Sequence, residues 1–215
     1  MAKLYFLGGE NVVKRNAKEI NQLAFEDAGD APRVLVFTWA RPSFDARFVR
    51  RRRLTEYLHS LGAGSVEYAE FSDLIGEIAA KVAGADLIYV TGGQVSTLLS
   101  RLRFSGADAL VRGFGGVILG RSAGAMALGK RCLVTNRYSK RPRSVEGLGL
   151  VDFSVKAHYE SAKERLLAGA SKKGKIYAIS QRAAVISRDG ALSFIDEVFL
   201  FENGEKTRAC NVSVR

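Results

Sequence analysis

"GGVILGRSAGAMALG", Gly115 to Gly129, joins a short apolar run to an alanine-rich segment through a serine with glycine two positions away on either side. A continuous apolar run of strand length predicts a strand buried on both faces, and the alanines that follow favour a helix. "GRSAG" therefore fits the GxSxG nucleophile elbow in the strand–turn–helix setting that gives the pattern meaning. Gly120 and Gly124 permit a sharp turn and close helix packing, and Ser122 sits at the apex beside a helix N-terminus. Partial positive charge and free amides there favour a developing oxyanion. An ordinary glycine-flanked turn capped by serine has the same pattern.

Working outward, "KLYFL", "RVLVF", "SVEYAEF" and "DLIYV" read as further strands. Helical periodicity lies between them in "AKEINQLAFEDAG", "RPSFDARFVRRRRLTEYLHSLG", "SDLIGEIAAKVAGA" and "STLLSRLRFSGADALVRGF". Strands and helices in alternation predict a doubly wound α/β fold, a mostly parallel sheet covered on both faces. After Ser122 the rhythm changes. A helix over Ala123–Leu128 leads to "RCLVTN", a polar loop "RYSKRPRSVEG", a strand "FSVKAHYE" and a helix "SAKERLLAGAS". The remaining β runs are punctuated by Asp189-Gly190 and Asn203-Gly204, both strong hairpin signals, so the C-terminal region is expected to be antiparallel. No linker, repeat or low-complexity tract divides the chain, which reads as one domain over residues 1–215.

Hydrophobic residues make up 47% of the 215, which argues against disorder. No apolar run approaches the ~20 residues of a spanning helix. "MAKLYFLGGE" is strand-like and has no cleavage-site pattern, so a soluble cytoplasmic protein with no membrane partner is expected. Cys132 and Cys210 read as reduced thiols. No metal site or cofactor motif is indicated, since "GFGG" precedes its strand instead of following it. The net charge of +11 attracts anions of any kind. In the arginine-rich helix Phe44, Phe48, Leu54, Tyr57 and Leu61 are expected to face inward, leaving a solvated basic face. Nucleic acid is an unlikely partner, because no zinc-finger spacing or RNA-binding aromatic motif accompanies those arginines. Monomer and homodimer both remain open.

In an open parallel sheet ligands bind beyond the carboxyl ends of the strands. "LGGEN", "VTGGQVS" and "LGRSAG" fall there, with glycines that let the backbone approach a ligand. A serine nucleophile needs a base. Of the two histidines, His59 lies on the arginine helix and reads as a surface or packing residue. His158 closes "FSVKAH" and should emerge at the carboxyl edge of its strand, which makes it the partner for Ser122.

"YVTGGQ", "GRSAGAM" and "GLGLVDFSVKAHYE" together resemble the S51 serine peptidases, the family of aspartyl dipeptidase (peptidase E) and cyanophycinase. The resemblance runs from the first strand to about Ser187. It implies a flavodoxin-like three-layer α/β/α fold related to class I glutamine amidotransferases, with serine where those enzymes carry cysteine. It implies Ser122 as nucleophile, His158 as base, and the amides of Ala123 and of Gly92 or Gly93 as the oxyanion hole. Gln94 stands where relatives have asparagine in a GGN loop, and would line the pocket. Relatives carry a glutamate where "YAISQRAAV" places Gln181, and some carry an aspartate where "VTNRYS" has Arg137. An amide oxygen can still fix a histidine tautomer, so Gln181 is the third member by position, with Glu146, Asp152 and Glu160 as acidic substitutes.

The implied substrate is a small peptide, with Asp-X dipeptides favoured by Arg121, Arg137, Arg141 and Arg143 near the site. Cyanophycin, with its guanidinium side groups, fits the basic balance poorly. Two rivals remain: an S51-like protein with a decayed triad and an anion-binding face, and an α/β-hydrolase esterase. The esterase would need an HGGG-type oxyanion loop that this chain does not contain.

Overall fold

The computed structural model describes residues 2–41, 49–134 and 143–210, and the side chains of residues 49 and 50 are left aside. The first half alternates β1 (Lys3–Leu7), α1 (Lys18–Ala28), β2 (Arg33–Phe37), α2 (Val49–His59), β3 (Ser65–Ala69), α3 (Ile75–Gly84) and β4 (Leu87–Val90). Then come α4 (Val95–Ser105), α5 (Ala107–Gly113), β5 (Val117–Arg121) and α6 (Ala123–Leu128). The second half holds β6 (Arg131–Val134), β7 (Arg143–Glu146), β8 (Ser154–Ala157), α7 (Glu164–Ser171) and the strands β9 (Ile176–Ile179), β10 (Ala184–Arg188), β11 (Ala191–Ile195), β12 (Val198–Glu202) and β13 (Glu205–Arg208).

The central sheet has the order β11-β10-β1-β5-β4-β2-β3. Its five strands from β1 to β3 are mutually parallel, and β10 and β11 are added antiparallel at the β1 edge. Alternate residues of β1 explain why its strand reads as continuously apolar. Leu4 and Phe6 enter the core on one face with α3 to α6, while Tyr5 and Leu7 enter a separate core with α1 and α2. Leu54, Tyr57 and Leu61 of the arginine helix are buried in that second core as expected; Phe44 and Phe48 lie outside the described residues.

Two expectations are corrected. "STLLSRLRFSGADALVRGF" is two helices, because Gly106 takes φ 76° and ends α4 with a left-handed cap. The segment read as a polar loop contains β7, which pairs antiparallel with β6 from Arg131↔Glu146 to Val134↔Arg143. Its partly exposed residues have no apolar pattern to announce it. The strands of the C-terminal region pair antiparallel with one another, as expected, but they are shared between two sheets. The Asp189-Gly190 hairpin extends the central sheet, whereas the Asn203-Gly204 hairpin joins a second sheet, β13-β12-β9-β8, in which β8 and β9 run parallel. That second sheet is what carries His158 to Ser122.

Candidate active site

Ser122 is the single residue between β5 and α6, and it is held at φ 52°, ψ −107°. Such a conformation costs a non-glycine residue roughly 1–3 kcal/mol and survives only where surrounding contacts impose it. A side chain at Gly120 would come within 2.7 Å of the Ala125 nitrogen, and one at Gly124 would overlap the Val90 carbonyl of β4. Both glycines of the motif are therefore required because α6 lies flat on the sheet.

The carboxyl end of β1 brackets the site. Three successive carbonyls there accept amides from three distant segments: Leu7 from Ser122 (2.9 Å), Gly8 from His158 (3.1 Å) and Gly9 from Arg182 (2.9 Å). All three donors sit at positive φ, at 52°, 52° and 65°. A side chain on Gly8 would overlap the Ser180 carbonyl, and one on Gly9 would lie 2.7 Å from His158 Nδ1 and 2.9 Å from Gln181 Oε1. The glycines of "LGGEN" therefore make room for the second sheet and the His158 ring, not for a ligand as expected. The result is a contact of 2.7 Å between Ser122 Oγ and His158 Nε2.

His158 is half-buried, and its pKa is lowered, first by burial and then by repulsion from Lys163 and Lys156, with Glu160 pulling the other way. Lys163 Nζ also donates to the His158 carbonyl at 3.1 Å. Burial pushes Lys156 down to about 8. A neutral ring with its proton on Nδ1 leaves Nε2 free to accept from Ser122. Gln181 Oε1 and His158 Nδ1 both lie beside Gly9, but among the described residues no hydrogen bond joins them. The acidic substitutes are placed elsewhere. Asp152 pairs with Lys130 at the surface, Glu146 is exposed on β7, and Glu160, 69% exposed, pairs with Lys163 at 3.1 Å. Of these three, only Glu160 acts on the ring, through its field.

Gly92 flanks Ser122, since a side chain there would lie 3.1 Å from the serine Cβ. Its loop is pinned by Thr91 N–H donating to Phe37 and Gln94 N–H donating to Ala40, at 3.0 and 2.6 Å. Among the described residues the amides of Gly92, Gly93 and Ala123 donate to no backbone carbonyl. Gly93, at φ 155°, packs on the Ala40 carbonyl. Gln94 caps α4, is exposed, and accepts from the Thr97 hydroxyl at 3.0 Å; it does not line the adjoining cavity. His59 contacts the Ala63 carbonyl at the end of α2, a packing role. Arg137 and Arg141 lie outside the described residues, and Arg143 is exposed on β7.

Arg121 turns inward to a group that sequence reasoning passed over. Its Nη1 lies 3.5 Å from Glu10 Oε1, with the two side chains 12% and 0% exposed. Glu10 also accepts from Tyr89 and, at 2.7 Å, from Asn21 Nδ2. Burial first of all, together with the Glu10 carboxylate, keeps the Tyr57 and Tyr89 phenols protonated. The one available signal was position: Glu10 directly follows Gly8-Gly9 beyond β1, where functional side chains collect. A cavity of about 700 Å³ opens here, with Glu10, Arg121, Thr91 and Gln181 in its wall.

The model of peptidase family S51 matches residues 9–195. The chain belongs to peptidase family S51. This S51 peptidase is 31% identical over 144 residues to the uncharacterized peptidase Lmo0363 of Listeria monocytogenes, covering 61% of this chain and 70% of that protein. It is 30% identical over 145 residues to the uncharacterized peptidase Lin0382 of Listeria innocua, covering 61% and 69%. Among solved structures, a peptidase from an acI-B1 actinobacterium has the same fold, with TM-score 0.78 at 20% identity over 98% of this chain and 94% of that one. A putative peptidase E protein from Listeria monocytogenes superposes with TM-score 0.69 at 25% identity, covering 91% and 98%. The S51 peptidase is thus placed among the peptidases with a mostly parallel α/β core. Among its described residues no helix is long and apolar enough to cross a membrane.

Proposed function

We propose that this S51 peptidase is a serine-type enzyme that hydrolyses short peptides, Asp-X dipeptides first among them. The observation that carries the reading is the 2.7 Å contact between Ser122 Oγ and His158 Nε2, beside amides that no backbone carbonyl among the described residues occupies. Ser122 Oγ attacks the scissile carbonyl carbon while His158 Nε2 takes its proton. The amides of Ala123 and of Gly92 or Gly93 receive the oxyanion. His158 then returns the proton to the leaving amine as the C–N bond breaks, and water releases the acyl group by the same steps in reverse. Gln181, the third member by position, offers the ring an amide in place of an ionised partner, and Arg121, paired with Glu10, directly precedes the nucleophile. The test is hydrolysis of Asp–Ala and of a chromogenic aspartyl anilide by wild type and Ser122→Ala. Equal rates end the proposal.

A second reading is favoured by one observation, the amide at Gln181 where an acid would stabilise the imidazolium. It makes the protein a binding module with an inactive triad. Fluorophosphonate labelling of Ser122 separates the two, because only an activated hydroxyl reacts.

A further inference from the structure

The cavity opens beside the Ser122–His158 pair rather than over it: Arg121 and Gln181 belong to its wall, and the two reacting side chains do not. Whatever fills it is therefore a part of the substrate away from the scissile bond. Among the described residues its wall carries five cations, Lys14, Arg41, Arg51, Arg53 and Arg121, against one acid, Glu10. Two of those cations are already matched. Arg121 faces the buried Glu10, and Arg51 pairs with Glu70 while lying 3.8 Å over the Tyr68 ring. Lys14 and Arg53, on different elements, are exposed and form no ion pair among the described residues. Deeper in the wall, Thr91 is 3% exposed and its hydroxyl has no partner among the described residues, which costs free energy unless a ligand group supplies one. Val12, Val13 and Leu54 provide apolar wall for methylene stems. The volume of about 700 Å³ is in the range that holds an entire small ligand, more than a single aspartyl side chain requires.

We infer that this cavity is a subsite for acidic residues flanking the scissile one, so that the preferred substrates are short peptides bearing two or more acidic side chains. Resting on the peptidase reading, the inference narrows it from any Asp-X peptide to acidic runs. Lys14 and Arg53 receive the additional carboxylate and Thr91 donates to it. A nucleic acid suits the cavity less well, because among the described residues the wall offers no aromatic ring on which a base could stack.

The experiment compares kcat/KM for Asp–Ala, Asp–Glu and Glu–Asp–Ala, the extra acid lying on either side of the aspartate. Wild type is set against the Lys14→Ala/Arg53→Ala double variant, Thr91→Val, and Arg208→Ala as a charge control on β13. In wild type one of the longer-acid peptides is expected to exceed Asp–Ala roughly three- to tenfold, mainly through KM, as two partly solvated charge contacts allow. That ratio shrinks in high salt, falls toward one in the double variant, falls part-way in Thr91→Val, and is kept in Arg208→Ala. An unchanged ratio in the double variant overturns the inference while leaving the peptidase reading intact. If no peptide is cleaved, the peptidase reading fails, and calorimetric binding of the same peptides decides the cavity's role. Tighter binding of a diacidic peptide that the double variant weakens supports the subsite; equal binding overturns it. An oligothymidine that displaces the peptides and is itself lost in the double variant also overturns it, in favour of nucleic acid.

Discussion

The two glycine hairpins and the Ser122 site both hold non-glycine residues at positive φ, and they do so by different physics. At the hairpins, Asp189-Gly190 takes 50° and 83° and Asn203-Gly204 takes 53° and 91°. Asp, Asn and Gly adopt that conformation readily, so turn chemistry alone accounts for it. At the site Ser122, His158 and Arg182 also have positive φ but with no such residue preference, each anchored to a successive carbonyl of Leu7, Gly8 and Gly9. Strain at the hairpins is relieved by residue choice; at the site it is imposed by β1. The lesson is that the geometry of the Ser122–His158 site is a property of three chain segments meeting at one strand end.

The comparison is broken most severely at Ser122. Ser122→Ala is expected to lower peptide hydrolysis by about four orders of magnitude or more, read as kcat/KM. Ser122→Gly should be as inactive yet about 1 kcal/mol more stable in urea denaturation, since glycine relieves the backbone. If Ser122→Gly is less stable than wild type, the elbow is not strained in the sense described.

Next in size are the glycines. Gly9→Ala pushes a methyl into the His158 ring, and kcat/KM should fall about a hundredfold, as small displacements of catalytic groups do. Gly190→Ala, with open space around it but φ 83°, should cost about 1 kcal/mol of stability and leave kcat/KM alone. Equal kinetic effects from the two would erase the distinction between the regions.

A pH profile sharpens it further. His158 stays neutral to lower pH than an ordinary imidazole, so the acidic limb of kcat/KM should lie below the usual histidine value near 6.5. Lys163→Met removes a repelling charge and should move that limb up; Glu160→Gln removes an attracting one and should move it down. The stability linked to His158 has the matching sign: it is present above the unfolded-state value and is lost as pH falls toward the lowered one. The smallest effect belongs to Asn203→Ala, about 1 kcal/mol or less of stability with unchanged turnover.

Much of this was legible from the chain alone. The strands β1, β2, β4 and β5, the elbow at Ser122, both hairpins and His158 at a strand end are signalled by short stretches whose own preferences agree with the fold. Other features depend on what packs against them. β7 is polar and exists because β6 pairs with it; α4 and α5 part at a glycine whose φ no pattern reveals. Gly8 and Gly9 look like a ligand loop until the second sheet closes on them, and Glu10 looks solvated until Tyr89, Asn21 and Arg121 enclose it. Propensity and periodicity are written in neighbouring residues, so the sequence by itself determined most of the elements and the strand-end positions of Ser122 and His158. Burial, close approach and charge pairing join residues a hundred positions apart, so only the tertiary structure decided which glycine faces the histidine and which acid holds the arginine.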